Sequence, residues 1–145
     1  MGVIATGALL GYLHETQKSS LDHLMHIEAY ETSEFMIIDS SSRRNLELCE
    51  TLRDKQKKGS LLWVLDKTKT AMGARMLRNM VEQPLVDKKK IEERYDAITT
   101  LTDQTIVREE LREYLNPIYD LERLMTKVSY KTANPRDMIA FKTSL

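Results

Sequence analysis

Turn-forming residues are scarce in this chain: 145 residues hold five glycines and three prolines. An all-β fold needs far more tight turns than these can supply, so helices are favoured. Cysteine is nearly absent as well. The lone Cys49 cannot form an internal disulfide, which suits a reducing, cytoplasmic setting. No span approaches the ~20 apolar residues that a membrane helix requires. The apolar start, Met1 to Leu13, lacks the basic opening of a signal peptide and is read as a helix of the fold. Val3-Ile4-Ala5 already has mid-domain character, so Met1-Gly2 is expected to be an added start. Charge of one sign is missing too: 22 basic side chains face 22 acidic ones, for a formal net charge of zero. A dedicated, highly basic nucleic-acid-binding domain is therefore disfavoured, although a local basic face is not excluded.

The sequence also lacks the constellations that carry chemistry. Gly59 and Gly73 are isolated, and neither is followed by the lysine and hydroxyl of a phosphate loop. No serine is flanked by glycines as a nucleophile, and no acid pair stands out by its spacing. His23 and His26 lie three apart, but no cysteine pair or acidic partner stands at metal-ligand spacing, so these and His14 read as structural or surface residues. Cys49 has no adjacent base to activate it and reads as a buried or half-buried thiol. The chain is thus read as no enzyme in itself, with no catalytic, cofactor-binding or metal-binding residue.

What is present points to helices. A hydrophobic fraction of 41% and a charged fraction of 30% describe a globular chain of single-domain size that can bury a core. Ala8, Leu9, Leu10, Tyr12 and Leu13 suggest a first helix ending near Thr16, followed by a polar, irregular stretch. Phe35 to Ile38 is the best strand candidate, and Asp39 to Ser42 can cap a helix running through Leu52. Lys55 to Ser60 is a turn, and Leu61 to Leu65 a short buried helix around Trp63. Thr70 is expected to cap a helix whose Met72, Met76, Leu77, Met80 and Val81 share one face, with Pro84 as its stop. Asp87 and Asp103 are expected to cap the next two. Asn116-Pro117 and Asn134-Pro135 each pair a cap with proline at the first helical position. The expected fold is mainly α, a multi-helical, bundle-like orthogonal array with at most one or two short strands. Met72, Met76 and Met80 fall on the stripe that follows Thr70, and the methionines are assigned to packing.

One charge pattern stands out. From Arg43 to Arg94, fourteen basic residues outnumber eight acidic ones. A phosphate-contacting face is possible on this stretch, but a solvated helix exterior is the default, since no aromatics are interleaved for base stacking.

Longer patterns carry a resemblance. Ser40 to Leu48, reading Ser-Ser-Ser-Arg-Arg-Asn-Leu-Glu-Leu after Ile37-Ile38-Asp39, resembles the opening of the core domain of MutS-type mismatch-repair proteins. Gly59 to Leu85 (GSLLWVLDKTKTAMGARMLRNMVEQPL) is similar to the same family's most recognisable core stretch. Asp120-Leu121-Glu122-Arg123 and Asn134-Pro135-Arg136-Asp137 match later positions, and Thr6 to Leu13 looks like the helix leaving the preceding connector domain. Ala71 stands where many relatives have proline, and Asn134 where many have arginine. The resemblance implies a division into residues 1–16, the helix at the connector/core junction, and residues 17–145, the first part of the core (lever) domain, ending before the DNA clamp. It further implies a longer, homodimeric ATPase using ATP and Mg, acting on mismatched duplex DNA with a MutL-type partner. Within it, this segment would couple the ATPase to the clamp mechanically. The family's mismatch-reading Phe-x-Glu motif is missing, since neither Phe35 nor Phe141 is followed by that acid. Alternatives are a recombination-type paralogue, an unrelated helical interaction module, or a stand-alone DNA-binding domain.

Overall fold

The computed structural model describes residues 2–16, 24, 26 and 32–145. The chain divides into two compact units, Met1–Glu31 and Thr32–Leu145. In the first, α1 spans Gly2–Thr16, ending where the apolar stripe places its end. Thr6 and Thr16 turn their hydroxyls back to the carbonyls of Gly2 and Tyr12, so their side chains do not break the helix. None of its residues is buried. The polar stretch read as irregular lies almost wholly outside the described residues.

The second unit is helical: α2 (Ser40–Asn45), α3 (Leu61–Leu65), α4 (Ala71–Glu82), α5 (Lys88–Asp103), α6 (Thr105–Leu115), α7 (Leu121–Ser129) and α8 (Pro135–Ser144). Its helix starts follow local chemistry. Asp39, Ser60, Thr70 and Asp87 each accept a backbone N–H of the first turn, satisfying donors that the helix itself leaves unpaired. Asn134 and Asp137 form a reciprocal capping box, with Pro135 at the first helical position.

Four expectations about where elements begin and end are corrected. Phe35 to Ile38 is not a strand. Phe35 makes an isolated antiparallel bridge to Leu85, with Met36 N–H donating to the Pro84 carbonyl at 2.8 Å. A single bridge arises because Pro84 has no N–H with which to continue a ladder. The helix capped by Asp39 stops at Asn45 rather than Leu52. Glu47 takes the left-handed conformation (φ 48°), while Glu47 N–H and Leu48 N–H bond back to the carbonyls of Arg44 and Arg43. That pair of bonds is a Schellman ending made without glycine. Asp103 is the last residue of α5, and Gln104 stands at the start of α6 without a side-chain cap. Finally, Asn116 closes α6 instead of opening a helix, and Asp120 caps α7 through Arg123 N–H.

Packing follows the chain: α3 lies on α4, α5 on α6 and α7 on α8. The core is small, with Leu48, Leu62 and Leu124 its buried apolar residues among those described. Trp63, read as the centre of a buried helix, is 47% exposed, while its neighbour Leu62 is 2% exposed. A five-residue helix buries one position per turn, and here the position after the first residue faces inward. Leu77 is half-buried. On α5 and α6, Tyr95, Ile98, Leu111 and Tyr114 are exposed, while Ile91 is half-buried.

Candidate functional site

A concavity among the described residues is built by a loop rather than by helices alone. Residues 46–60 leave α2 through the left-handed Glu47, whose carboxylate accepts Leu52 N–H at 2.6 Å. Thr51 and Gln56 close a turn by backbone and hydroxyl contacts, and Lys55 inside it is again left-handed (φ 49°). Gly59 (φ 97°) is required twice over. Its backbone conformation suits glycine, and a Cβ there would meet Thr51 Cγ2 at 3.2 Å. Ser60, 1% exposed, then locks the loop: its hydroxyl donates to the Lys57 carbonyl (2.7 Å) and accepts Trp63 N–H (3.3 Å). Leu61 and Leu62 N–H donate to the carbonyls of Glu47 and Leu48, pinning the start of α3 to the end of α2.

Between α2, this loop and α4 lies a cleft of about 410 Å³, lined among others by Arg43, Arg44, Cys49, Lys55, Arg78 and Glu82. Glu82 is its electrostatic centre. Cys49 Sγ donates to Glu82 Oε1 at 3.2 Å, and Arg78 Nε donates to the same oxygen at 3.0 Å. Arg78 also stands 3.7 Å from Glu50. Burial works to raise the Glu82 pKa, but the bonds from Cys49 and Arg78 outweigh it and hold the carboxyl below its ordinary value. The same geometry acts oppositely on the thiol: burial first, then the Glu82 carboxylate, pushes Cys49 up to about 11. A protonated thiol beside an ionised carboxylate is neither a nucleophile nor an acid–base pair at neutral pH. What the cleft offers instead is cations. Arg43 donates Nε to the Ile38 carbonyl at 3.0 Å, and among the described residues no ion pair or hydrogen bond engages the side chains of Arg44 or Lys55.

A second charged feature joins distant segments. Arg75 on α4 donates Nη1 and Nη2 to the two carboxylate oxygens of Asp120 at 2.7 Å each, and Nε to Glu122 at 3.0 Å. These bonds hold the Asp120 carboxyl below its ordinary pKa. Lys57 pairs with Asp66, and Lys127 with Asp137 at 2.7 Å.

Of the fourteen basic residues from 43 to 94, the structure therefore gathers Arg43, Arg44, Lys55 and Arg78 at one cleft. It commits Lys57, Arg75, Lys88 and Lys90 to carboxylates elsewhere. His14 and His26 are exposed, and His23 lies outside the described residues. No group of three potential ligands that could hold a metal ion occurs among the described residues. Neither Gly59 nor Gly73 opens a phosphate loop. Gly73 lies within α4 with its N–H already taken by Thr70 Oγ1 (3.0 Å), and Gly59 leads into the cap Ser60. Sequence reasoning missed the Cys49–Glu82–Arg78 cluster and the Arg75 fork. Each joins residues more than 30 positions apart, and no local signal marks such pairs.

Residues 41–145 match the family model for MutS domain III. Over all 145 residues the chain is 71% identical to the DNA mismatch repair protein MutS of Lachnoclostridium phytofermentans, covering 100% of this chain and 16% of that protein. The MutS of Bacillus cytotoxicus is 55% identical over 143 residues, 99% of this chain and 16% of its own length. For Ruminiclostridium cellulolyticum MutS the values are 54% over 145 residues, 100% and 17%. The chain thus spans about a sixth of the length of these relatives.

Proposed function

Since the chain belongs to the MutS family and carries its domain III, we propose that it is the core-domain segment of a mismatch-repair ATPase and acts there as a mechanical coupler. Residues 1–16 then form the helix at the connector junction, and residues 17–145 the first part of the lever. ATP and Mg, mismatched duplex DNA, a MutL-type partner and a second subunit engage other parts of the longer protein, in the cytoplasm. Catalysis belongs to those parts too. The relatives named above are all called mismatch repair proteins, which favours repair over a recombination-type role.

The observation that carries the coupling is the Arg75 fork. Sequence neighbours pack in pairs, α3 with α4 and α7 with α8, and Arg75 ties one pair to the other through Asp120 and Glu122. A bidentate, charge-assisted contact is directional, so it transmits a rotation of one pair to the other and has a discrete broken state. The full-length protein carrying Arg75→Ala is therefore expected to bind ATP and mismatched duplex separately, but to lose ATP-triggered release of the mismatch. Arg75→Asp combined with Asp120→Arg should recover part of that release. Release at the unaltered rate in Arg75→Ala would remove the fork from the coupling.

A further inference from the structure

The cleft described above holds more positive charge than its own carboxylates neutralise. We propose that it is an anion site for a phosphate group, with Arg44 and Lys55 as the principal ligands and Arg43 beside them. Four cations and two carboxylates line the cleft, but the carboxylates are already engaged: Glu82 by Cys49 and Arg78, Glu50 by Arg78. Arg78 is thereby compensated, while Arg44 and Lys55 keep full charges with no ion pair among the described residues. Arg43 spends only Nε on the Ile38 carbonyl, leaving its terminal nitrogens to donate. An oxyanion carrying close to two charges at neutral pH matches this excess, as a phosphate monoester does. Guanidinium forks also fit its tetrahedral oxygens with paired bonds.

Preorganisation points the same way. Lys55 is held in a left-handed conformation (φ 49°), which an ordinary residue adopts at a cost and which tends to persist where function uses it. Glu47 at the other end of the loop is left-handed too and clamps Leu52 N–H. The loop is thus fixed before any ligand arrives, so little ordering remains to oppose binding. Ser40 and Thr51 add hydroxyls, and Leu48 and Leu52 an apolar wall. A volume of about 410 Å³ exceeds a bare phosphate and leaves room for the carbon skeleton attached to it. That skeleton can belong to a free phosphorylated molecule, or to a nucleic-acid strand whose successive diester phosphates supply one charge each; both present phosphate oxygens to the same cations. This site is independent of the coupling role.

Pyrophosphate titrated into the 145-residue chain at physiological salt, followed by amide NMR shifts, tests it. Saturable shifts confined to residues 40–55 and 78–82 are expected. Arg44→Gln with Lys55→Asn should weaken binding by roughly tenfold or more, and asparagine keeps the left-handed backbone at position 55. Lys89→Ala with Arg94→Ala removes the same charge outside the cleft and should leave affinity within about twofold, since screened distant charges contribute little. A short single-stranded DNA that displaces pyrophosphate from the same residues would identify a nucleic-acid backbone as the source. Failure of the strand to displace it would identify a free phosphorylated molecule, and either result upholds the site. Shifts that never saturate, or equal weakening by both double variants, would overturn it.

Discussion

Arg75 and Asp120 face each other in a parallel, two-bond fork, with both nitrogen–oxygen distances at 2.7 Å across 45 residues of sequence. Asp120, whose side chain is only 18% exposed, has two further duties: it caps α7 through Arg123 N–H and pairs with Arg123 Nε at 3.4 Å. Removing either partner therefore damages more than one contact. Arg75→Ala and Asp120→Ala should each lower the urea midpoint, Asp120→Ala by more because the cap goes as well. The double variant should lose clearly less than the sum of the two single losses, the signature of a shared interaction. Strict additivity in the cycle would mean that the fork contributes nothing to stability.

Acid should act on a different pair. Lys57 and the Thr68 hydroxyl and N–H bind Asp66 and bring its pKa down to about 2 from an ordinary 3.8. A folded-state pKa below the unfolded one stabilises the fold above the unfolded value, and that stability is lost as pH falls from about 4 to about 2. Asp66→Asn removes the titration. Its denaturation midpoint should be lower than that of the unaltered chain at pH 6, with the gap closing as pH falls to about 2. A gap of constant size from pH 6 to pH 2 would show that Asp66 titrates normally.

The helix starts were legible in the sequence because capping is local: Asp39, Thr70, Asp87 and Asn134 each bind a backbone N–H two or three residues ahead. Misreadings arose where two local signals competed or where the partner was remote. Asn116-Pro117 reads as a helix start, but Asn116 closes α6 and Asp120, four residues on, caps α7. Glu47 ends α2 without glycine, so no composition cue marked it. Phe35 needed Leu85 to become even a single bridge. The candidate cleft was half legible. Its cations stood out as a basic stretch, but the pairing that neutralises Arg78 and leaves Arg44 and Lys55 in excess depends on Glu82, 33 residues from Cys49.

Cys49 provides a chemical readout of that pairing. With its pKa pushed up to about 11, on the order of one thiol in a thousand is ionised at pH 8. A disulfide reagent should react slowly there, with a rate still rising past pH 10. Glu82→Gln removes a charge that opposes the thiolate but leaves the burial, so the profile should move part of the way toward an ordinary thiol. An unaltered profile in that variant would deny contact between the two groups.

Lys131 ends α7 as Glu47 ends α2. It is left-handed (φ 56°), and Lys131 N–H and Thr132 N–H bond to the carbonyls of Val128 and Lys127. Glycine adopts this conformation without a Cβ penalty. Lys131→Gly should therefore stabilise the chain by about 0.5–1 kcal/mol, the relief of the left-handed strain less the added freedom of the unfolded chain. Lys131→Ala keeps a Cβ and should bring no gain. Equal midpoints for the glycine and alanine variants would place the strain elsewhere.

Leu62 and Trp63 are adjacent on α3, yet only one is anchored. Leu62 is 2% exposed and Trp63 47%, and Leu62 N–H is also tied to the Leu48 carbonyl at 2.8 Å. That bond joins Leu62 and Leu48, two of the three buried apolar residues among those described, beside the buried Ser60 cap. Truncating Leu62 removes apolar area and leaves a void that a locked loop cannot easily fill, so Leu62→Ala should cost about 2–5 kcal/mol. Trp63→Ala loses a larger side chain that is already half in water, and its cost should be smaller despite the greater volume removed. Leu77, half-buried on α4, should fall between them. Chemical denaturation of the three variants tests this order directly. If Trp63→Ala destabilised the chain more than Leu62→Ala, the indole and not the leucine would be the anchor of α3.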